Sequence, residues 1–174
     1  MSRLLEELME VHAKLASREN FSSLLVGQCA SVEKDYISAI AAGLLTLGGR
    51  HGPTVQTVNF LTSVDSFCPE IYYQHNLMIP GWGSSFIKGE PDPHFDTLDG
   101  YLFEDNPYIW QKIREVTDKM HDTGKILYPN AACYTAAVAI TEGIPAEVSP
   151  YLLIKGRLET WTNIYLQNKG TRLP

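Results

Sequence analysis

Apolar residues recur every three or four positions along most of this chain, a spacing typical of amphipathic α-helices. The first stretch of the chain with this spacing predicts a helix over about residues 2–17. A second helix is predicted to have Ser31 as its N-cap and to end at Gly48-Gly49. Glu33 and Asp35 would lie in its first turn, and its apolar face would be Ile37, Ile40, Ala41, Leu44 and Leu45.

Four further helices are predicted from the same spacing together with turn and cap residues. The third begins at Pro53, which suits a first helical turn, and the fourth spans about residues 106–121. The fifth opens at Asn130 with a run of small residues, and the sixth begins near Ser149 and ends at Asn168. No pair of strands is predicted. The fold class is therefore all-α, and the length fits one domain over residues 1–174.

The segment from about residue 66 to 101 has a different composition. It holds four prolines and several glycines, which predicts one long loop. Short extended pieces are expected around residues 71–73 and 86–87. A long loop in a compact domain is more often a binding element than filler.

Charge and cysteine content narrow the partners and the compartment. The formal net charge is −6, which argues against nucleic acid or an anionic membrane as the main partner. The three cysteines, Cys29, Cys68 and Cys133, are widely spaced and form no metal-binding pattern. We expect free thiols in a cytoplasmic protein without a signal peptide, a metal or a cofactor. His12, His75 and His121 have no ligand spacing and are expected to be solvated or capping.

Four segments carry the sequence motifs. One is the loop stretch Ile79-Pro-Gly-Trp-Gly-Ser-Ser-Phe-Ile-Lys-Gly-Glu-Pro-Asp-Pro-His-Phe95. The others are Ile37–Pro53, Leu127–Tyr134 and Lys155–Trp161. Taken together in chain order, these four segments resemble the citrate synthase superfamily, including the citryl-CoA lyase module of ATP-citrate lyase. The resemblance implies a helical citrate synthase-like domain, similar to the C-terminal, small-domain portion of the family fold.

The resemblance also implies a set of catalytic positions. The family uses a carboxylate to remove a proton from the acetyl methyl group, one histidine to stabilise the enolate and a second to polarise the ketone. The first histidine falls on His51, whereas the second falls on Ser84 and the carboxylate on Ala132. Since alanine cannot accept a proton, the resemblance implies a degenerate catalyst.

The same resemblance implies which residues contact a ligand. Arg157 matches an arginine that grips a substrate carboxylate, Lys88 a basic position near the CoA phosphates, and His94 the arginine of an Asp-Pro-Arg motif. The full set of implied ligand-binding residues is Arg50, Gly81, Trp82, Gly83, Ser84, Lys88, His94, Asn130 and Arg157.

Each position also has a structural interpretation. His51 can cap a helix end, Arg157 can form a surface ion pair, and Lys88 can be a solvated loop lysine. Gly81 and Gly83 can serve the turn alone, and Trp82 and Trp161 can be packing aromatics.

Two hypotheses for function remain. The chain is either a degenerate citrate synthase- or citryl-CoA lyase-like protein that binds an acyl-CoA or polycarboxylate, or a non-catalytic structural protein that reuses the fold. A CoA thioester is the expected substrate or ligand in the first case. Because family members are dimers, the resemblance implies a homodimer or higher homo-oligomer. We expect the apolar surface between copies to come from the small-residue helix from Asn130 to Glu142 and from the helix from Ser149 to Asn168.

Overall fold

The computed structural model describes residues 1–17, 21–47, 53–63, 66–84 and 87–171. Over these ranges the fold is all-α, as predicted, with an isolated β-bridge between Trp82 and Pro129. The helices are α1 (Arg3–Ser17), α2 (Phe21–Ser31), α3 (Tyr36–Leu45), α4 (Thr54–Ser63), α5 (Pro69–Gln74), α6 (Asp96–Asp105), α7 (Pro107–Asp122), α8 (Ala131–Thr141) and α9 (Pro150–Asn168). Short 3₁₀ helices lie at Pro93–Phe95 and Ala146–Val148. Within the described ranges, no helix has the length and apolar character needed to cross a membrane.

The chain forms two compact units. The first consists of Met1–Leu8 and Pro53–Pro150, and the second of Met9–Gly52 and Tyr151–Pro174. In the first unit α8 is the central helix, because every residue from Ala132 to Ala139 is buried. Its small side chains allow α4 to pack closely against it. The small-residue helix expected to meet a second copy is therefore already covered by its own chain.

The core of the second unit is built around Trp161. Its ring is fully buried, and its indole Nε1 donates to Ser23 Oγ at 3.0 Å. α2 and α3 approach closely beside it, since a Cβ at Gly43 would lie 2.8 Å from Val26 Cγ2. The second unit thus has its own apolar centre with a satisfied indole N–H.

Three sequence expectations differ from the structure near the start of α3. α2 has no predicted counterpart, because its apolar and small polar residues do not form a single stripe. Ser31 is the last residue of α2 rather than a cap. The N-cap of α3 is Asp35, whose carboxylate accepts from Ser38 N at 3.0 Å, and Glu33 lies in the preceding turn with φ of 60°.

The long loop also contains more helix than expected. The piece around residues 71–73 is helical rather than extended, because Pro69 begins α5. The end of the segment forms α6, which the sequence analysis does not predict. Its apolar positions Leu98 and Leu102 stand among acidic residues and beside Gly100, so the helical spacing is hard to recognise. The extended piece expected around residues 86–87 lies partly outside the described residues.

Candidate functional site

The Gly81-Trp82-Gly83 turn is fastened to the start of α8. Asn130 N donates to Gly81 O at 2.9 Å, and Gly83 N donates to Tyr128 O at 2.9 Å. The side-chain amide of Asn130 adds a bond from Nδ2 to Gly83 O at 2.8 Å. The two segments, 47 positions apart in sequence, are thus held as one piece.

The other end of the Asn130 amide caps α8. Its Oδ1 accepts from Ala132 N at 2.8 Å and Cys133 N at 3.4 Å. An N-cap of this kind satisfies backbone donors that the helix leaves open. Asn130 therefore joins the turn to α8, with both ends of its side chain engaged.

Trp82 anchors the turn from inside. The side chain is 7% exposed and its Nε1 donates to Thr117 Oγ1 at 2.9 Å. Its ring meets Phe60 edge-on, with centroids 5.8 Å apart. Trp82 therefore packs in the first unit, as its structural interpretation proposes.

Gly81 lies where three elements meet. Its φ is +92°, and an added Cβ would lie 2.6 Å from Thr57 Cγ2 on α4 and 3.2 Å from Cys133 Cα on α8. Gly83 has a similar φ of +88°, but a Cβ there would meet only Leu127 Cδ2 at 3.5 Å. Position 81 thus requires glycine for both conformation and space, and position 83 for conformation alone.

This difference predicts unequal costs for two matched substitutions. Gly83→Ala is expected to cost about 1–2 kcal/mol of unfolding free energy for left-handed backbone strain. Gly81→Ala should cost roughly 1–3 kcal/mol more, because its methyl group displaces Thr57 or α8. Urea unfolding of both variants measures the difference, and equal losses would mean that the close approach at Gly81 does not constrain the fold.

Ser84 and Ala132, the positions at which the resemblance implies replaced catalytic groups, adjoin these two segments. Ser84 follows Gly83, is exposed, and accepts from Ile87 N at 3.3 Å through its Oγ. Ala132 lies in the first turn of α8 and is 2% exposed. The next residue, Cys133, is fully buried, and burial raises the pKa of its thiol well above the usual value. Cys133 is therefore a protonated packing residue at neutral pH.

Lys88 and His94 lie further along the same segment. Lys88 is exposed and makes no ion pair within the described ranges. His94 is held by Asp92, since Nδ1 and Oδ1 are 2.8 Å apart and Asp92 Oδ1 also accepts from His94 N at 3.1 Å. The adjacent Phe95 stacks on Tyr134 of α8 at a centroid distance of 4.5 Å.

Arg157 is the basic candidate of the second unit. Its Nη1 donates to Ser22 Oγ at 3.4 Å, whereas its Nε is buried without a hydrogen-bond partner. It forms no ion pair with a carboxylate in the described part of the chain. Burial lowers its pKa to about 10, so the guanidinium stays charged at neutral pH. Arg50 and His51 lie outside the described residues.

Comparison with known proteins identifies the family. The model of the citrate synthase C-terminal domain matches residues 2–172. The chain belongs to the citrate synthase family. No curated protein sequence matches it.

Solved structures of the family share the fold. Citrate synthase from Thermotoga maritima superimposes with a TM-score of 0.84 at 22% identity, covering 99% of this chain and 51% of that one. Citryl-CoA lyase from Hydrogenobacter thermophilus gives 0.77 at 20% identity, covering 99% and 72%. ATP citrate lyase from Methanosaeta concilii, in complex with (3S)-citryl-CoA, gives 0.77 at 20% identity, covering 98% and 32%. This citrate synthase-family chain thus spans about half the length of the Thermotoga enzyme.

One polar cluster of the first unit has no counterpart in the sequence analysis. Asp99 accepts from Tyr134 Oη at 3.0 Å, from Trp110 Nε1 at 3.1 Å and from Arg114. Burial and the Asp99 charge raise the pKa of Tyr134, which keeps its hydroxyl a donor. The cluster ties α6, α7 and α8 together. Its members are up to 35 positions apart, so no local spacing reveals it.

The environment of His12 also differs from expectation. It is fully buried rather than solvated or capping. A Cβ at Gly156 would lie 2.5 Å from His12 Cβ, so α1 and α9 are in direct contact here. Burial, followed by the nearby charge of Arg157, lowers its pKa to about 3. His12 is therefore neutral at physiological pH.

Proposed function

We propose that this citrate synthase-family chain binds a small polycarboxylate or an acyl-CoA and has lost most of the family's condensation chemistry. The main support for this proposal is that the Nε of the Arg157 guanidinium is buried and has no hydrogen-bond partner. A buried cation is costly unless a counter-charge supplies hydrogen bonds. A bound carboxylate supplies both, because a guanidinium donates two parallel N–H bonds to the two oxygens of a carboxylate.

The first unit supports the ligand-binding part of the proposal in a different way. The Trp82 turn is still hydrogen-bonded to the start of α8 on both sides of Asn130, although Ser84 and Ala132 replace the groups that the family uses for chemistry. A turn with two left-handed glycines brings bare backbone close to its surroundings. This arrangement suits ligand recognition better than proton transfer.

Relatives indicate which ligands to test. The Methanosaeta lyase structure contains (3S)-citryl-CoA. A citrate synthase structure from Thermoplasma acidophilum is a ternary complex with carboxymethyl coenzyme A and oxaloacetate. For the present chain we therefore choose oxaloacetate, citrate, coenzyme A and acetyl-CoA as probes. The proposal includes no cofactor that stays bound to the protein.

Calorimetric titration of the parent chain with these four probes tests the proposal. Saturable binding of at least one carboxylate or CoA compound, at one site per chain, is the expected result. A phosphate-free buffer is needed because phosphate competes for a guanidinium. Absence of binding by all four probes would contradict the proposal.

A non-catalytic assembly role is the second candidate, and one surface favours it. Ile37 and Leu45 of α3 are 72% and 86% exposed, and Ala41 lies between them on the same helical face. α3 carries no charged residue, so the stripe suits a second copy of the chain. A purely structural role predicts that none of the four probes binds, whereas a ligand-binding homo-oligomer accounts for both features.

A further inference from the structure

An exposed apolar patch lies on α5 and on the two connections beside it. Ile71 belongs to α5, Leu77 and Met78 follow that helix, and Ile126 lies in the connection between α7 and α8. Each of these four side chains is between 47% and 57% exposed. We call them the α5 patch. Large apolar side chains that are grouped on a surface mark interaction sites, whereas single ones need no explanation.

A cation–π contact joins the two parts of the α5 patch. Lys125 Nζ lies 5.5 Å from the centroid of the Tyr73 ring. Lys125 directly precedes Ile126, and Tyr73 lies on α5 two residues after Ile71. The contact holds the α7–α8 connection against α5. The apolar side chains on either side of it therefore belong to one surface of the first unit.

The α5 patch rests on a base of packed aromatic rings. The Tyr72 ring meets Phe60 edge-on with centroids 6.0 Å apart, and its centroid lies 5.5 Å from that of Phe67. Beyond α5, Leu77 N donates to Tyr72 O at 2.8 Å, and Asn76 closes this turn with a φ of 52°. A surface held in one shape loses little conformational entropy on binding. The α5 patch is therefore presented ready for contact.

The sequence leaves the centre of the α5 patch uncharged and places one charge of each sign beside it. The stretch from Ile71 to Ser84 contains no Asp, Glu, Lys or Arg. Glu70 immediately precedes this stretch, Lys125 immediately precedes Ile126, and both side chains are exposed. Neither forms an ion pair with another described residue. A charge-depleted centre with a polar rim is the usual anatomy of a protein interface.

This charge pattern fits a second copy of the same chain. In a two-fold contact one surface serves both partners, so a residue pair formed in one direction is also formed in the other. Two uncharged centres bury each other without removing charges from water. The opposite charges of Glu70 and Lys125 then complement each other twice, once on each side of the axis.

We propose that the α5 patch is a contact between two copies of this chain related by a two-fold axis, in which Glu70 of each copy pairs with the partner's Lys125. The apolar stripe on α3 belongs to the second unit, so the two surfaces are tested by different substitutions. The contact does not depend on ligand binding, and it holds or fails independently of the proposed function.

Sedimentation equilibrium at micromolar concentrations tests the contact. The parent is expected to form dimers or larger assemblies. Leu77→Glu combined with Met78→Glu should lower the average mass by about half, because association would bury carboxylates from both copies. Phe103→Glu, at a similarly exposed position of the first unit, is the matched control and should leave the mass unchanged. A monomeric parent, or a double variant with the mass of the parent, overturns the proposal.

Charge reversal tests the pairing, and it leaves the apolar centre intact. Glu70→Lys or Lys125→Glu alone brings like charges together at two symmetric places, so the dissociation constant of the contact should rise about tenfold or more. The two reversals combined restore opposite charges and should return it to within about threefold of the parent. Single reversals that leave the dissociation constant unchanged, or a combined variant that stays as weak as the single ones, overturn the proposed arrangement.

Discussion

Acetyl-CoA and oxaloacetate are expected to be condensed by this chain about 10² to 10⁴ times more slowly than by a family member that keeps the proton-abstracting carboxylate, the usual effect of losing a general base. The resemblance places that carboxylate at Ala132, which is 2% exposed and cannot accept a proton. The same resemblance places an imidazole at the position of Ser84.

Among the described residues, the neighbours of Ala132 are not expected to take over the role of this carboxylate. α8 contains no carboxylate from Ala131 to Thr141. The Cys133 thiol is held protonated by burial, and the Tyr134 hydroxyl donates to Asp99. The Asp99 carboxylate in turn accepts from three donors, so its oxygens are already engaged in hydrogen bonds.

A thiol-release assay measures this prediction. The parent should show little release above the uncatalysed mixture. Ala132→Asp combined with Ser84→His should raise it, whereas Ala131→Asp with Ser84→His, which places the carboxylate one residue earlier and about 100° around the helix, should not. Parent turnover at ordinary enzyme rates would show that another group performs the chemistry.

Acidification below about pH 6.5 is expected to destabilise the fold through His12. Its pKa is lowered to about 3 in the folded chain, against 6.5 ordinarily. Between these values the unfolded chain binds a proton that the folded chain does not. The free energy of unfolding therefore falls as pH falls through this window, by up to about 1.4 kcal/mol per pH unit. Above pH 6.5 the contribution is fully present.

Urea unfolding at pH 7, 6 and 5 checks the slope. The lowered pKa values of Asp35 and Asp105 act at more acidic pH than this window. His12→Gln should flatten the slope, whereas His75→Gln, at an exposed position, should not. A slope unchanged in His12→Gln would mean that the folded chain accommodates a protonated His12.

Local signals predict much of the helical framework. α7 begins where Asn106 and Pro107 indicate, with Asn106 Oδ1 accepting from Ile109 N at 3.2 Å. α8 begins at Ala131, directly after Asn130, where the sequence predicts a helix to open. In both cases a cap residue and an apolar or small-residue run agree. α2 is not predicted, because Ser22 and Ser23 are buried together with its apolar residues. The helix therefore has no clear division into an apolar and a polar face.

The candidate site depends on contacts that no local pattern contains. The bonds from Asn130 to Gly81 and Gly83 cross a long stretch of sequence, and only the family resemblance brings these segments together in advance. The burial of Arg157 and His12 depends on how α1, α2 and α9 pack. Periodicity places both residues on helices, but it does not reveal an unpartnered guanidinium Nε.

The most direct test of the central claim compares Arg157→Met with the parent in ligand affinity and melting temperature. If Arg157 grips a ligand carboxylate, the variant should bind the parent's carboxylate probe about 10- to 100-fold more weakly, the scale of a charged hydrogen bond. Its melting temperature should be equal or higher, because no ion pair within the described residues is broken. Lys155→Met, which removes an exposed charge from the same helix, should change neither quantity. Unchanged affinity together with a clear fall in melting temperature would contradict the account and give Arg157 a structural role.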